Sequence, residues 1–250
     1  KYKYAPFDAN IKEEEKIDQV IAWLDMDEAI RPKLIMTYWD GTDSVGHIYG
    51  TDHKKIFDQM VRQDEMLGLL FSRLTEIDAW DYLTLLLVSD HGMINVNKYI
   101  SLKEVLDSIE INYILSSGPA VAHIFIEDKT QRAQALELLS TQLHIKAYRR
   151  ENLPASFHMN HPTRTGDLIV TTEPPYMFNN NPLDGPKGMH GYDPDLKEMH
   201  AIFGAFGAGV RNERIGPIHM TDVAPTIAKL LGIKSVNHMQ GRAIDLSPKD

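Results

Sequence analysis

The stretch Leu85-Leu86-Leu87-Val88-Ser89-Asp90-His91-Gly92-Met93 carries an apolar run that stops abruptly at a carboxylate, an imidazole and a glycine. The run has strand character, and its continuous apolarity predicts a strand covered on both faces. Its end is the informative part. Neighbouring residues of a strand point to opposite faces, so Asp90 and His91 can serve one centre only where the chain leaves extended geometry. Gly92 permits such a turn. The alternative is that Ser89 and Asp90 cap the following segment and leave His91 in solvent.

Around this stretch the pattern alternates between helix and strand periods. Residues 13–26, EEEKIDQVIAWLDM, place Ile17, Val20, Ile21 and Leu24 at helical spacing with acidic residues at the N-terminal end. Residues 33–39, KLIMTYW, read as a short buried strand that ends at Asp40-Gly41. A long amphipathic helix follows, with Ile56, Met60, Met66, Leu67, Leu70 and Leu74 near one stripe. This helix leads into the opening strand. Such a series predicts an α/β fold with a largely parallel sheet between helices. Residues 111–165 read as a small α/β insertion, containing the strand AVAHIFI, the helix KTQRAQALELLSTQL and the strand IKAYRR. Residues 199–209 give a further buried strand and residues 220–233 a helix closed by Gly232.

Composition narrows the chemistry. The 250 residues, 43% hydrophobic and 24% charged, suit one large globular domain. A net charge of -9 argues against binding a nucleic-acid polymer, whose phosphates it would repel. With no cysteine, disulfides and thiolate sites are excluded, so any metal must be held by histidine and carboxylate. No apolar run approaches the length of a membrane span.

In open α/β sheets, sites form outside the carboxyl ends of strands. Asp43 and His47 follow the first strand and are four residues apart, so on one helical turn they share a face and can grip one ion. Gly46 would allow close backbone approach. A surface pair is the alternative. Asp90 and His91 end the second strand, and His190 sits in a loop between Gly188 and Gly191 with no apolar periodicity to explain it. His123, inside a strand, reads as a satisfied interior residue, and His53 and His200 as facing solvent or packing. His158 and His161 are candidates to line a cleft, whereas His144, His219 and His238 have no partner in sequence. Met60, Met66 and Met93 read as core.

Three segments together, DSVGHIYG, LLLVSDHGM and GMHGYDPDLKEMHAIFGAFGAGV, resemble in order and spacing the nucleotide pyrophosphatase/phosphodiesterase family of the alkaline phosphatase superfamily. The resemblance covers nearly the whole chain. It implies an alkaline-phosphatase-like fold and hydrolysis of phosphodiester or pyrophosphate bonds with two divalent metal ions of zinc type. Carried over, Asp43, His47 and His190 would hold one ion, and Asp90 and His91 the second. Tyr38 matches a tyrosine on which nucleotide-hydrolysing members stack the base; its alternative role is to fill a strand end. The implied partner is a small phosphodiester or nucleotide, and the implied location is extracytoplasmic.

The chain departs from the family pattern in two ways. Gly41-Thr42 and Gly50-Thr51 stand where Glu-Pro and Gly-Pro are usual. More important, the family's Asp-Gly strand end and later threonine nucleophile have no convincing match, since Asp40 and Thr75 read as decoys. The expectation is therefore that residues 1–250 are the C-terminal portion of one catalytic domain, with the missing half in cis or on another chain. On that expectation no catalytic nucleophile lies in this chain. The rival readings are another superfamily enzyme, such as a phosphonoacetate hydrolase or phosphoethanolamine transferase, and a noncatalytic metal-binding remnant.

Overall fold

The structure is a computed structural model that describes residues 8, 10–181, 185–234 and 239–248, so His238 lies outside the described residues. The chain divides into two compact units, one of residues 1–42, 58–90 and 201–250, the other of residues 43–57 and 91–200. No helix of the described residues is long and apolar enough to cross a membrane.

In the first unit, helix α1 (Glu13–Leu24) opens with Glu13, Glu14 and Glu15, whose charges favour a helix N-terminus. Its stripe of Ile17, Ile21 and Leu24 packs on Leu70 and Leu74 of helix α3 (Lys54–Glu76) and on Ala79. Arg62 reaches Glu13 and Glu14, and Arg73 reaches Asp18, across the exposed rim of this pair. Strand β1 (Thr84–Val88) pairs antiparallel with β10 (Phe203–Gly207), from Thr84 opposite Gly207 to Val88 opposite Phe203. Helix α6 (Val223–Leu230) ends at Gly232, whose φ of +66° supplies the left-handed stop expected there.

Three expectations fail in this unit. Residues 33–39 form no strand and enter no sheet among the described residues. Ile35 and Trp39 turn to the α1–α3 core, whereas Leu34, Met36 and Tyr38 are exposed, Met36 by 79%. Thr37, between Ile35 and Trp39 in the same parity, is exposed too, so the segment packs only those two residues against that core. Strand β1 is likewise half-buried rather than covered, with Val88 44% exposed. Met60 is exposed as well, because it falls off the α3 stripe that Leu70 and Leu74 define.

The second unit contains helix α2 from Asp43 onward (the helix spans Gly41–Tyr49) and the strands β2 (Ile94–Asn95), β3 (Lys98–Ile100), β8 (Tyr176–Phe178) and β9 (Gly188–Met189). Its largest core lies between a four-stranded antiparallel sheet and helix α5 (Lys129–Ser140). The sheet runs β4 (Ile114–Ser117), β5 (Val121–Phe125), β7 (Leu168–Thr171), β6 (Lys146–Arg149). Asp128 starts α5 by accepting from the amides of Thr130 and Gln131. Ile124, Ala135, Leu139, Leu168 and Val170 meet behind it, together with Leu102 and Leu106 of the short helix α4 (Leu102–Leu106). Strand β7 is central to this sheet although it lies beyond Thr165. Parallel pairing, expected to predominate, is found at one ladder among the described residues, β3 with β8. Apolar continuity reports burial of a strand, not the direction of its neighbour.

Removing buried methyl groups behind α5 should be costly. Leu139→Ala is expected to lower the unfolding free energy by about 2–5 kcal/mol, read from urea midpoints. His123 gives a second test. Its Nδ1 accepts from the Gly166 amide, and burial lowers its pKa below the ordinary value. A folded pKa below the unfolded value means that the unfolded chain binds the extra proton. This contribution is thus present above about pH 6.5 and lost on acidification. His123→Gln should flatten the loss of stability between pH 7 and pH 5 relative to the unaltered chain.

Candidate metal centre

Four side chains of the second unit meet at one place. Asp43 and His47 stand one turn apart on α2, which puts both on one face. His47 Nε2 lies 3.3 Å from Asp43 Oδ1. His190, directly after β9, brings its Nε2 to 3.6 Å from the same oxygen. The His47 and His190 rings are 5.1 Å apart and tilted by 49°, and His91 stacks on His190 at 3.5 Å and 12°. Ligand-type atoms of Asp43, His91 and His190 all lie within 4.8 Å of one another.

Backbone carbonyls orient two of these imidazoles. His47 Nδ1 is 2.9 Å from the Gly188 carbonyl oxygen, and His91 Nδ1 is 2.9 Å from that of Gly92. A carbonyl can only accept, so each Nδ1 is the protonated donor and each Nε2 keeps its lone pair for a cation. The His47 carbonyl in turn accepts from the Lys187 amide at 2.8 Å, which ties α2 to the strand that carries His190. At the far end of α2, Gly50 (φ +82°) turns the chain. There Asn95 Oδ1 accepts from the Thr51 amide at 2.6 Å, and Asn95 Nδ2 donates to Asp52 at 2.5 Å. Beneath the site, Val96, Met189, Tyr192 and Met199 form a small core. The Tyr192 hydroxyl donates to the Tyr176 carbonyl, and burial pushes its pKa well above the ordinary value.

Asp43 Oδ1 tests whether a metal ion fits. It is sealed from solvent and has no hydrogen-bond partner among the described residues, an arrangement that costs about 1–3 kcal/mol if nothing compensates it. Two imidazole nitrogens face it at 3.3 and 3.6 Å. Ligand atoms about 2.0–2.1 Å from a tetrahedral zinc ion are separated by about 3.3 Å, so these spacings are compatible with a small cation of that type. One carboxylate oxygen and neutral imidazoles are donors that zinc accepts. The residues fit the group.

The expected residues are therefore distributed as follows. Asp43, His47, His91 and His190 converge within the second unit. Asp90 and Tyr38 belong to the first, where Asp90 is exposed at the end of β1 and Tyr38 is half exposed with its carbonyl bound by Lys16 Nζ. Ser89 does not cap the following segment; its amide and hydroxyl bond to the carbonyl and amide of Ile202. Gly92 is needed for a different reason from the one expected. It has no positive φ, but a Cβ there would collide with the Glu198 carbonyl. His161 accepts from the amides of Thr163 and Arg164, and His53 stacks on Tyr49. The sequence reading missed Asn95 and Gly188 as an acceptor. The close backbone approach expected at Gly46 is present, since a Cβ on Gly188 would stand 2.5 Å from the Gly46 carbonyl oxygen.

Residues 1–193 match the family model described as type I phosphodiesterase / nucleotide pyrophosphatase. The chain is 28% identical over 239 residues to human ectonucleotide pyrophosphatase/phosphodiesterase family member 5, covering 94% of this chain and 49% of that protein. It is 29% identical over 224 residues to the bis(5'-adenosyl)-triphosphatase of Xenopus laevis, covering 88% and 48%. It thus spans about half the length of these curated relatives. The human structure of ectonucleotide pyrophosphatase/phosphodiesterase 5 superposes with a TM-score of 0.85 at 28% identity, over 94% of this chain and 63% of that one. An inactive murine variant in complex with AMP gives 0.85 at 26% identity, over 95% and 63%. The likeness shows the expected α/β fold.

Removing a cage ligand should weaken zinc binding while leaving the fold intact. His47→Ala is expected to lower zinc affinity by at least about tenfold in chelator competition, since one of few ligands is lost. His53→Ala, on the neighbouring turn, should leave it unchanged.

Proposed function

The chain belongs to the type I phosphodiesterase / nucleotide pyrophosphatase family, and on that premise we propose that it takes part in metal-dependent hydrolysis of phosphodiester or pyrophosphate bonds, with nucleotides as the substrate class. The observation that carries this reading is the solvent-sealed Asp43 Oδ1, faced by two imidazole nitrogens at tetrahedral spacing. In this reading Asp43, His47 and His190 hold one zinc ion, and His91 contributes to a second. Such ions, when bound, supply positive charge that binds and polarises a phosphoryl group. The chain's own part is orientation: the carbonyls of Gly188 and Gly92 hold His47 and His91 in one tautomer before any ion arrives. Tyr38, half exposed, offers a ring face for a nucleotide base.

The nucleotide class is supported by the relatives, one named a bis(5'-adenosyl)-triphosphatase and another solved with AMP. An extracytoplasmic setting is supported by the word ectonucleotide in their names. The nucleophile is assigned to a threonine outside this chain. Thr75 is unsuited to the role, since its hydroxyl donates to the Phe71 carbonyl and accepts from Trp80 Nε1 within α3. A back-bonded helical hydroxyl is not poised to attack.

The test pairs zinc titration with turnover of a nitrophenyl ester of a nucleotide. The 250-residue chain is expected to bind zinc and to hydrolyse the ester no faster than a metal-free control. The longer natural polypeptide that this reading requires should hydrolyse it and lose that activity with His190→Ala. Zinc-dependent turnover by the 250 residues alone would put the nucleophile inside them. Zinc binding without hydrolysis in the longer polypeptide would favour a noncatalytic remnant.

A further inference from the structure

Met93 touches both elements that carry the cage, and nothing in the reading above uses it. A methyl group added to Gly46 of α2 would run into the Met93 sulfur. One added to Gly188 of β9 would meet that sulfur at 2.8 Å and the Gly46 carbonyl oxygen at 2.5 Å. The thioether therefore fills the notch between two bare backbones. On one side of the notch the next residue is His47, and on the other the Gly188 carbonyl orients His47 two residues before His190. Met93 itself follows His91 by two residues on the approach to β2, and β2 pairs with β9 through Ile94 opposite Met189 and Asn95 opposite Gly188. One side chain thus borders the segments of all four converging residues.

We propose that Met93 is the positioning residue of the metal cage: its thioether sets the separation of α2 from β9, and through it the distance of Asp43 and His47 from His190. The inference rests on the metal reading and adds a determinant of affinity to it. The physical reason is tolerance. Metal–ligand distances hold within about 0.2 Å, so a shift of α2 by a few tenths of an ångström is felt at the ion. An unbranched thioether suits an irregular gap between two backbones. Leucine conserves its volume, whereas alanine leaves a hole into which α2 can settle.

The experiment measures zinc affinity by chelator competition and the visible spectrum of the cobalt-substituted chain. It compares the unaltered 250 residues with Met93→Leu, Met93→Ala, Met93→Val and His190→Ala, each checked for folding without metal. Met93→Ala and Met93→Val are expected to lose about 10- to 100-fold in zinc affinity, the range for groups that orient ligands. Their cobalt bands should be altered, while Met93→Leu stays close to the unaltered chain. Should the alanine variant fail to fold, the valine variant carries the comparison. Equal zinc affinity in the unaltered chain and a folded alanine or valine variant, with His190→Ala defective, would overturn this inference alone. Absence of zinc binding by the unaltered chain would overturn the metal reading, and the inference with it.

Discussion

The contact on which the second unit's chemistry depends is the approach of helix α2 to strand β9. Neither Gly46 nor Gly188 has a side chain to hold the two apart, and a Cβ on Gly188 would stand 2.5 Å from the Gly46 carbonyl oxygen. That approach lets the Gly188 carbonyl reach His47 Nδ1 at 2.9 Å and the Lys187 amide reach the His47 carbonyl at 2.8 Å. His47, held at both its ring and its carbonyl, cannot drift independently of that segment. His190 follows on the same strand, so its distance from Asp43 is determined by the same contact. Helical periodicity then does the rest, since four residues separate Asp43 from His47.

Such an arrangement is costly to hold. Asp43 Oδ1 is buried without a hydrogen bond among the described residues, beside nitrogens that keep their lone pairs. Like-natured acceptors brought together repel, and a protein keeps them together only where the surrounding packing over-determines their positions. The supports are visible here. Asn95 clasps the turn after α2, Gly92 fits beneath the Glu198 carbonyl, and the small core of Val96, Met189, Tyr192 and Met199 lies under the strands. None of these groups is hydrogen-bonded to Asp43 Oδ1. Their role is to make the unfavourable geometry the only one available.

How much of this could be read from residues alone varies by kind of signal. Helices α1 and α3 were legible from the helical spacing of their apolar residues, and α6 from its closing Gly232. Asp43 and His47 were legible as a pair because their spacing is a property of the helix. The convergence of His190 and His91 on that pair was not in the spacing; it came through resemblance. Residues 33–39 show the limit from the other side. They were read as a short buried strand, but burial needs a second layer, and Leu34, Met36 and Tyr38 are exposed. Met93 was read as core on its apolarity, whereas its significance lies in which two backbones it touches, and no pattern along the chain encodes that.

Charge bears on what such a cage can attract. The chain carries -9 overall, which would repel a phosphate ester at long range. Beyond about 8–10 Å, however, exposed charges are screened at ordinary ionic strength, so the surface total counts for little at the site. Within the cage the count is different. Asp43 supplies one negative charge and the imidazoles, as neutral ligands, supply none, so a divalent ion there leaves a net positive charge facing outward. A cage of carboxylates would cancel it. At about 4 Å and an effective dielectric of about 20, one such charge attracts an anion by about 4 kcal/mol. On the proposed metal reading, a donor set with more histidine than carboxylate would leave a bound divalent ion positive enough to attract an anionic ester even on an acidic protein.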